Sequence, residues 1–233
     1  MSLPSVGFTS ERRPIDLRTF LERDDALAAP DCSDRTLELI CVGDLESLVD
    51  RKALLGGPES VEPPYWALPW IGARAIAADL LTCPLRSEHA VLDLGCGLGL
   101  SGVVAGLSGA HVLFADYVED ALMFARANAE LHRLRSHDAR CIDFTCDRLG
   151  SRFDVILAAD VVYDPSHYAP LVEFLDTHLA SDGMLLLTES LRADARRVLD
   201  LLAERGISGE KCGVWVREEG RPERTWLHTL RRS

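Results

Sequence analysis

Apolar runs and helical periodicity alternate from about residue 70 to residue 205. Short, nearly continuous apolar runs predict strands, and apolar residues that recur every three or four positions between them predict helices. The predicted strands cover residues 90–94, 111–116, 139–143, 153–159 and 183–188. The predicted helices cover residues 71–81, 100–109, 119–133, 167–180 and 193–205. Continuous apolar strands between helices indicate a parallel sheet that is covered on both faces.

Two more predicted strands close the chain. They cover residues 212–216 and 225–230, and residues 219–222 between them are typical of a turn. We therefore expect an α/β, Rossmann-like fold with a seven-stranded, mostly parallel sheet. Residues 1–60 do not follow this alternation, although they contain a predicted short helix near 17–28, a strand over 36–42 and a polar stretch to Pro58. We expect residues 1–60 to form an appendage on the substrate side of a main domain over residues 61–233.

The first strand of the sheet breaks into alternating glycines. Because glycine lacks a Cβ atom, the backbone at Gly95 and Gly97 can lie close to a ligand. Asp93, two residues before Gly95, would repel a phosphate but can help hold the cationic methionine end of S-adenosylmethionine (SAM). With Cys96 between the glycines, this segment resembles the cofactor loop of SAM-dependent methyltransferases.

A dinucleotide site is the competing interpretation of the same loop. Gly97, Gly99 and Gly102 satisfy the dinucleotide fingerprint, and Asp116 lies near the acidic position expected about 20 residues further on. In that motif the first glycine directly follows the strand, whereas here Gly95 does. This register favours SAM over a dinucleotide, and an ordinary glycine-containing turn is a third interpretation.

Acidic residues also stand at the ends of the next two strands, where open α/β sheets bind their ligands. Asp116 is placed to accept hydrogen bonds from two ribose hydroxyls, with Tyr117 against the adenine face. Asp143 is placed to accept from the adenine amino group, with Phe144 packed on the ring. Either carboxylate could instead cap a helix or close a turn.

Two further motifs stand out. The fourth strand ends at Ala159 and Asp160, and Tyr163 follows three residues after the acid. The segment over 63–70, with the sequence PPYWALPW, places prolines and three large aromatic residues before a predicted helix. This composition predicts a rigid aromatic wall, although taken alone it fits a hydrophobic staple and core aromatics equally well.

Together these motifs resemble the seven-β-strand protein-lysine methyltransferases, whose members modify chaperones, elongation factors and electron-transfer flavoprotein. The PPYWA sequence and the second Trp resemble the flavoprotein-modifying branch, and residues 159–163 resemble the acid-x-x-tyrosine signature of the family. The resemblance implies a SAM-dependent methyltransferase domain over 61–233 that N-methylates a protein lysine. It implies SAM contacts at Trp70, Gly95, Cys96, Gly97, Asp116, Phe144 and Ala159, and a substrate mouth at Asp160 and Tyr163.

The implied chemistry is an in-line displacement, in which the amine, methyl carbon and sulfur must be collinear. A lysine amine, with a pKa of about 10.4, must first lose its proton. Since a carboxylate favours the ammonium form, we assign Asp160 to orienting the amine while the proton passes to water. Tyr163 and Trp70 would form an aromatic wall that tolerates a methylated cation. His167, near this mouth, is either a helix N-terminal residue or a base.

Charge and cysteine content limit the partners that we expect. The formal net charge of −12 disfavours nucleic acid and anionic membranes. The seven cysteines are scattered without a C-x-x-C pair, which predicts reduced thiols and neither a disulfide framework nor a metal site. Without an apolar signal core or a long apolar stretch, we expect a soluble, cytoplasmic protein.

Two alternatives to a protein-lysine methyltransferase stay open at this point. The first is a small-molecule N- or O-methyltransferase that uses the same SAM-binding core. The second is a SAM-binding scaffold without turnover, which the presence of both Asp160 and Tyr163 disfavours. The fourth strand does not end in Asn-Pro-Pro-Tyr, which argues against methylation of adenine N6 or of glutamine amides.

Overall fold

The computed structural model of the chain describes residues 9–23, 26–28, 36–48, 63–190, 195–218 and 221–232. The strands in this part are β1 (Ser10–Asp16), β2 (Thr19–Arg23), β3 (Ala26–Ala28), β4 (Thr36–Val42), β5 (Ala90–Leu94), β6 (His111–Asp116), β7 (His137–Cys141), β8 (Phe153–Ala159), β9 (Leu179–Ser190), β10 (Ile207–Glu218) and β11 (Arg221–Arg232). The helices are α1 (Ile71–Thr82), α2 (Leu100–Leu107), α3 (Glu119–Leu131), α4 (Tyr168–His178) and α5 (Arg196–Ala203).

A central sheet orders its strands β3-β2-β10-β11-β9-β8-β5-β6-β7. The five strands from β9 to β7 are parallel to one another, whereas β11 is antiparallel to both β9 and β10. This arrangement confirms the predicted seven-stranded, mostly parallel sheet, in which the last strand, β11, is inserted antiparallel. Two strands from the N-terminal segment, β2 and β3, extend the sheet beyond β10.

Most predicted elements are confirmed to within a few residues, but the short helix predicted near 17–28 is wrong. Thr19–Arg23 and Ala26–Ala28 are strands in this region. Thr19 to Leu21 pair with Val216 to Val214 of β10, almost 200 residues away in the chain. Backbone pairing at the sheet edge therefore overrides the local helical pattern. The strand predicted at 36–42 is confirmed, and most of the polar stretch to Pro58 lies outside the described residues.

Several other bounds differ from the prediction, among them those of the fifth parallel strand, which covers Leu179–Ser190 rather than 183–188. The third parallel strand covers His137–Cys141 rather than 139–143, because its pairing with β6 begins opposite Val112. Both strands of the closing hairpin are longer than the apolar runs that predicted them. Of the predicted turn at 219–222, the last two residues belong to β11 and the first two lie outside the described residues.

Two apolar layers cover the faces of the sheet. Along β5, Val91 packs in the layer with α1, α2 and α3, whereas Leu92 and Leu94 pack in the layer with α4 and α5. This alternation follows from the two-residue period of a strand. Because both faces are buried, the ends of the strands are the places where the sheet can meet a ligand.

The strands β1 and β4 form a separate two-stranded antiparallel sheet. Their Ile15 and Leu39 are buried in the layer that contains α1, α2 and α3. Arg74 of α1 is also buried, and its guanidinium donates to the carbonyl oxygens of Asp16 and Arg217. These bonds join the end of β1 to α1 and β10. The division of the chain at residue 60 stays a prediction.

Candidate functional site

The glycine loop after β5 has backbone dihedral angles that residues with a Cβ atom rarely adopt. Gly95, Gly97 and Gly99 have φ values of +64°, +50° and +80°. A Cβ atom added to Gly97 would also lie 2.9 Å from the carbonyl oxygen of Trp66. The loop is therefore shaped by the aromatic segment that packs against it, as well as by its own glycines.

Asp116 anchors this loop from the end of β6. Its Oδ2 accepts a hydrogen bond of 2.9 Å from the N–H of Gly97, and its Oδ1 accepts one of 3.0 Å from the N–H of Val118. The residue is only 5% exposed. Since each carboxylate oxygen can accept two hydrogen bonds, Asp116 can hold the loop and still accept from a ribose diol.

Asp93 lies behind the loop and is buried. Its Oδ2 accepts a hydrogen bond of 2.9 Å from the N–H of Gly102, in the first turn of α2. Burial raises the pKa of Asp93 to about 7, the bond from Gly102 opposes this rise, and the nearby charge of Asp116 adds to it. Asp93 thus secures the start of α2. Its contact with the methionine end of SAM stays a prediction.

Cys96 is buried within the glycine loop. Burial raises the pKa of its thiol well above the usual range, and the charges of Asp93 and Asp116 add to that rise. The backbone N–H groups of Gly95 and Cys96 both donate to the carbonyl oxygen of Ala115, at 2.8 and 3.1 Å. The raised pKa keeps the thiol protonated at neutral pH, and the contact of Cys96 with SAM stays a prediction.

Asp160 follows β8 in a left-handed conformation with a φ of +54°, which is uncommon for a residue other than glycine. Its N–H donates to the Oγ1 of Thr188 at 3.2 Å, and its Oδ2 accepts from the N–H of Gly72 at 2.9 Å. Its Oδ1 is buried without a hydrogen-bond partner among the described residues. Burial raises the pKa of Asp160 to about 6, and the Gly72 bond opposes that rise.

The aromatic segment before α1 lies between the glycine loop and Asp160. The indole Nε1 of Trp70 donates to the carbonyl oxygen of Tyr65 at 2.6 Å, and their rings are 5.9 Å apart. Trp66 packs on Phe124 of α3 at 5.6 Å. Because Trp66 adjoins Gly97 and α1 begins directly after Trp70, the segment brings the two predicted halves of the site together.

A second group of aromatic rings lies beyond the end of β8. Tyr163 is half exposed, and its ring meets His167 edge to face at 6.3 Å. His167 also meets Phe144 edge to face at 5.8 Å. His167 therefore bridges Phe144 of the predicted adenine site and Tyr163 of the predicted substrate mouth, at the end of the short helical turn Pro165–His167. Ala159 is half-buried as the last residue of β8.

Asp143 closes a turn, which is the alternative that the sequence left open. Its Oδ1 accepts from the N–H and the hydroxyl of Thr145, at 2.8 and 2.6 Å. These bonds lower the pKa of Asp143. Tyr117, after β6, is 52% exposed at the same edge of the sheet. The contacts of both residues with adenine stay predictions.

Two buried polar residues of the site region were not predicted from the sequence. Thr188 stands at the end of the predicted fifth strand, and its position alone could have marked it as a neighbour of Asp160. Asn128 lies among the apolar positions of α3, next to Ala125 and Ala129, where an amide is unusual. Such a polar residue on an apolar helix face is the signal that could have revealed it.

Within the described residues, no helix is long and apolar enough to span a membrane. The same part of the chain contains no group of three or more His, Cys, Asp or Glu side chains placed to hold a metal ion.

Comparisons with known proteins agree on the family. Residues 74–202, more than half of the chain, match the family model described as lysine methyltransferase. The chain is 36% identical over 129 residues to the electron transfer flavoprotein beta subunit lysine methyltransferase of Danio rerio, covering 53% of this chain and 48% of that protein. It is 30% identical over 109 residues to the histidine protein methyltransferase 1 homolog of Dictyostelium discoideum, covering 43% and 35%. The matches thus span about half or less of these relatives.

Solved structures share the fold at low sequence identity. The N-methyltransferase NodS from Bradyrhizobium japonicum, in complex with S-adenosyl-L-homocysteine (SAH), superposes with a TM-score of 0.60 at 20% identity, covering 81% of this chain and 97% of that one. The ribosomal protein L11 methylase from Lactobacillus delbrueckii superposes with a TM-score of 0.53 at 20% identity, covering 70% and 78%. The chain therefore belongs to the lysine methyltransferase family and has the fold of class I SAM-dependent methyltransferases.

Proposed function

We propose that this protein is a SAM-dependent methyltransferase that N-methylates a lysine side chain of another protein. One observation carries the proposal most directly. The aromatic segment that ends at Trp70 adjoins the glycine loop at Gly97, and the helix that follows it is bonded to Asp160. A cofactor held at the loop and an amine held at Asp160 would therefore both lie beside this one aromatic segment, and close enough to each other for an in-line transfer.

The cofactor half of the proposal rests on the loop and its anchors. Asp116 offers a buried carboxylate for the ribose diol, while Gly95, Cys96 and Gly97 offer closely approachable backbone. The remaining proposed SAM contacts are Trp70, Asp93, Tyr117, Asp143, Phe144 and Ala159. SAM supplies the electrophilic methyl group, and the residues of the chain bind and orient it. Relatives of the same fold were crystallised with SAM or SAH, which supports this assignment.

The acceptor half rests on Asp160 and Tyr163. With a pKa of about 6, Asp160 is a carboxylate at neutral pH, and it would accept a hydrogen bond from the acceptor amine and orient its lone pair toward the methyl group. The ammonium proton must leave first, and we assign its loss to water. Tyr163, half exposed beside His167, offers an aromatic face for the methylated cation.

The surface around this mouth supports a protein acceptor. Five large hydrophobic side chains are exposed among the described residues, and four of them belong to segments at this edge of the molecule. Those four are Tyr65, Leu68, Tyr117 and Tyr163. Exposed apolar groups beside a site are typical both of ligand grooves and of surfaces for a macromolecular partner, and Tyr65 and Leu68 are the two without a proposed contact to SAM or to the amine. The relatives named above are themselves named for methylating a protein lysine or a protein histidine.

A ligand-binding measurement tests the cofactor. We expect SAM and SAH to raise the melting temperature, because a ligand that binds only the folded state stabilises it. NAD and NADP at equal concentration should leave it unchanged, since the register of the loop disfavours a pyrophosphate. Stabilisation by NAD instead would overturn the proposal.

The cytoplasmic location and the appendage over residues 1–60 stay predictions.

Incubation with methyl-labelled SAM distinguishes the acceptor classes. Dialysed lysate protein should become labelled, whereas label in a small-molecule extract would favour a small-molecule N- or O-methyltransferase. Binding of SAM without any transfer would favour the scaffold.

A further inference from the structure

Asn128 of α3 is wholly buried, and its side-chain amide makes three hydrogen bonds to distant backbone groups. Its Oδ1 accepts from the N–H of Ile40 at 2.6 Å. Its Nδ2 donates to the carbonyl oxygens of Ile40 and Leu98, at 3.1 and 2.9 Å. Only one orientation of the amide satisfies all three bonds, because the partners are one donor and two acceptors.

One of these partners belongs to the glycine loop. The peptide bond between Leu98 and Gly99 is planar, so its carbonyl oxygen and its N–H move together. Asn128 holds the carbonyl oxygen, while the N–H of Gly99 donates to the carbonyl oxygen of Cys96 at 2.8 Å. Both ends of this peptide plane are therefore fixed where the loop turns into α2.

The other partner belongs to the N-terminal strand pair. Ile40 lies in β4, and both of its backbone polar groups are bonded to Asn128. Besides its backbone bonds, the loop thus has two side-chain anchors from different directions. Asp116 holds it at Gly97 from the end of β6, and Asn128 holds it at Leu98 from α3 and β4.

We propose that Asn128 is a positioning residue for the cofactor site, through which β4 keeps the glycine loop in its binding-competent shape. The inference rests on the proposed function, because it concerns the affinity of the same loop for SAM. Without the Asn128 bond the loop would populate other conformations, and its apparent affinity would fall with the competent fraction. The chemical step would be unaffected once SAM is bound. The effect therefore belongs to the KM for SAM and not to kcat.

The chain offers a matched control for this interface. His132, four residues further along in sequence, bonds through Nε2 to the carbonyl oxygen of Glu38 in β4 at 2.7 Å. His132→Ala therefore weakens the contact between α3 and β4 without removing a bond to the loop. Asn128→Asp keeps the size of the side chain and an acceptor for Ile40, and it leaves at most one donor, the O–H of a protonated carboxyl, for the two carbonyl oxygens. Asn128→Ser is a milder second variant.

The variants are compared by calorimetry with SAH and by the KM and kcat for labelled SAM with dialysed lysate protein as acceptor. We expect Asn128→Asp to raise the Kd for SAH and the KM for SAM about tenfold, which corresponds to ~1.4 kcal/mol. The kcat at saturating SAM should stay within about twofold of the wild-type value. His132→Ala should lower the melting temperature and leave Kd and KM unchanged. A folded Asn128 variant with wild-type Kd would overturn the inference, as would an equal loss of affinity in His132→Ala.

Hydrogen exchange of the wild-type protein tests the coupling without a variant that has to fold. If Asn128 links the two segments, the amides of Ile40 and Gly99 should open with one free energy as urea is raised below the unfolding transition. Independent opening of these amides would contradict the link. Failure of the wild-type protein to bind SAH would instead contradict the proposed function, and the exchange result would still decide whether the two segments are coupled.

Discussion

The Oδ2 atom of Asp160 accepts a hydrogen bond of 2.9 Å from the backbone N–H of Gly72, 88 residues earlier in the chain. This bond joins the end of β8 to the first turn of α1, directly after the aromatic segment. A Cβ atom on Gly72 would overlap both Asp160 Oδ2 and Thr188 Oγ1. Gly72 is therefore the point where the helix approaches the carboxylate closely enough to bond to it.

Gly72→Ala should displace Asp160 and reduce methyl transfer. The added methyl group has no space against Asp160 and Thr188, so we expect a destabilisation of about 1–3 kcal/mol, as for other overpacked sites. Gly150→Ala is the control, because an added Cβ atom there meets nothing within 4 Å. Thermal unfolding and transfer from labelled SAM measure both effects. A Gly72→Ala protein with wild-type stability and a wild-type rate of methyl transfer would contradict the need for this close approach between Gly72 and Asp160.

Asp160→Asn should separate the acceptor site from the cofactor site. Asparagine keeps an acceptor for Gly72 and tolerates the left-handed backbone, but it loses the charge. We expect the transfer rate to fall on the order of 10²-fold, the scale of a misplaced reacting group, with the SAH affinity preserved. Tyr163→Phe should be milder, since its ring remains. Loss of SAH binding in Asp160→Asn without an effect on the acceptor would move Asp160 into the cofactor pocket.

The raised pKa of Asp160 predicts a dependence of stability on pH. The folded state binds this proton more tightly than the unfolded state, whose carboxyl keeps a pKa near 3.8. The contribution of Asp160 to stability therefore falls as the pH rises from about 4 to about 6. The Asp160→Asn variant lacks this loss. The difference between its free energy of unfolding and that of the wild type should therefore shift in favour of the variant across this window, by on the order of 2 kcal/mol.

Asp164→Asn is the control for this titration, and it should show the opposite trend. Bonds from Ser166 lower the pKa of Asp164, so its stabilisation is present above pH 4 and is lost as the pH falls. Chemical unfolding at a series of pH values measures both variants. If the difference in free energy of unfolding between Asp160→Asn and the wild type does not change with pH, burial does not raise the pKa of Asp160.

Asp116→Ala should weaken SAM binding and loosen the glycine loop at once. The variant loses the acceptor for the N–H groups of Gly97 and Val118 as well as the proposed contact with the ribose. We expect the binding free energy to fall by about 2–3 kcal/mol, the scale of charge-assisted hydrogen bonds. Asp138→Ala, which removes an exposed carboxylate from the neighbouring strand β7, should leave the affinity unchanged. Calorimetry with SAH decides the matter, and equal affinities for all three proteins would exclude Asp116 from the site.

The parallel part of the fold was predictable because its signals are local. The strand over 153–159 has the predicted bounds, since its apolar run begins after polar residues and ends at Asp160. The same holds for the strand over 90–94, which ends where the glycines begin. In both cases the residues that position the site directly follow the strand in sequence, so the motif and the element are recognised together.

The N-terminal segment was not predictable in the same way. β2 is a strand because it pairs with residues 214–216, and no local pattern carries that information. Asn128 escaped for a similar reason, since its two partner residues, Leu98 and Ile40, lie 30 and 88 residues away. The turn at Asp143 shows a second limit of prediction from the sequence. A carboxylate after a strand can bind a ligand or its own backbone, and the bonds to Thr145 were not visible in the sequence.

The identity of the methylated amino acid tests the central claim most directly. Wild-type protein and the Asp160→Asn variant are incubated with methyl-labelled SAM and dialysed lysate protein, and the labelled protein is hydrolysed to amino acids. We expect label in ε-N-methyllysine with the wild type and about 10²-fold less with Asp160→Asn. Label in any other amino acid, or equal labelling by both proteins, would contradict the central claim.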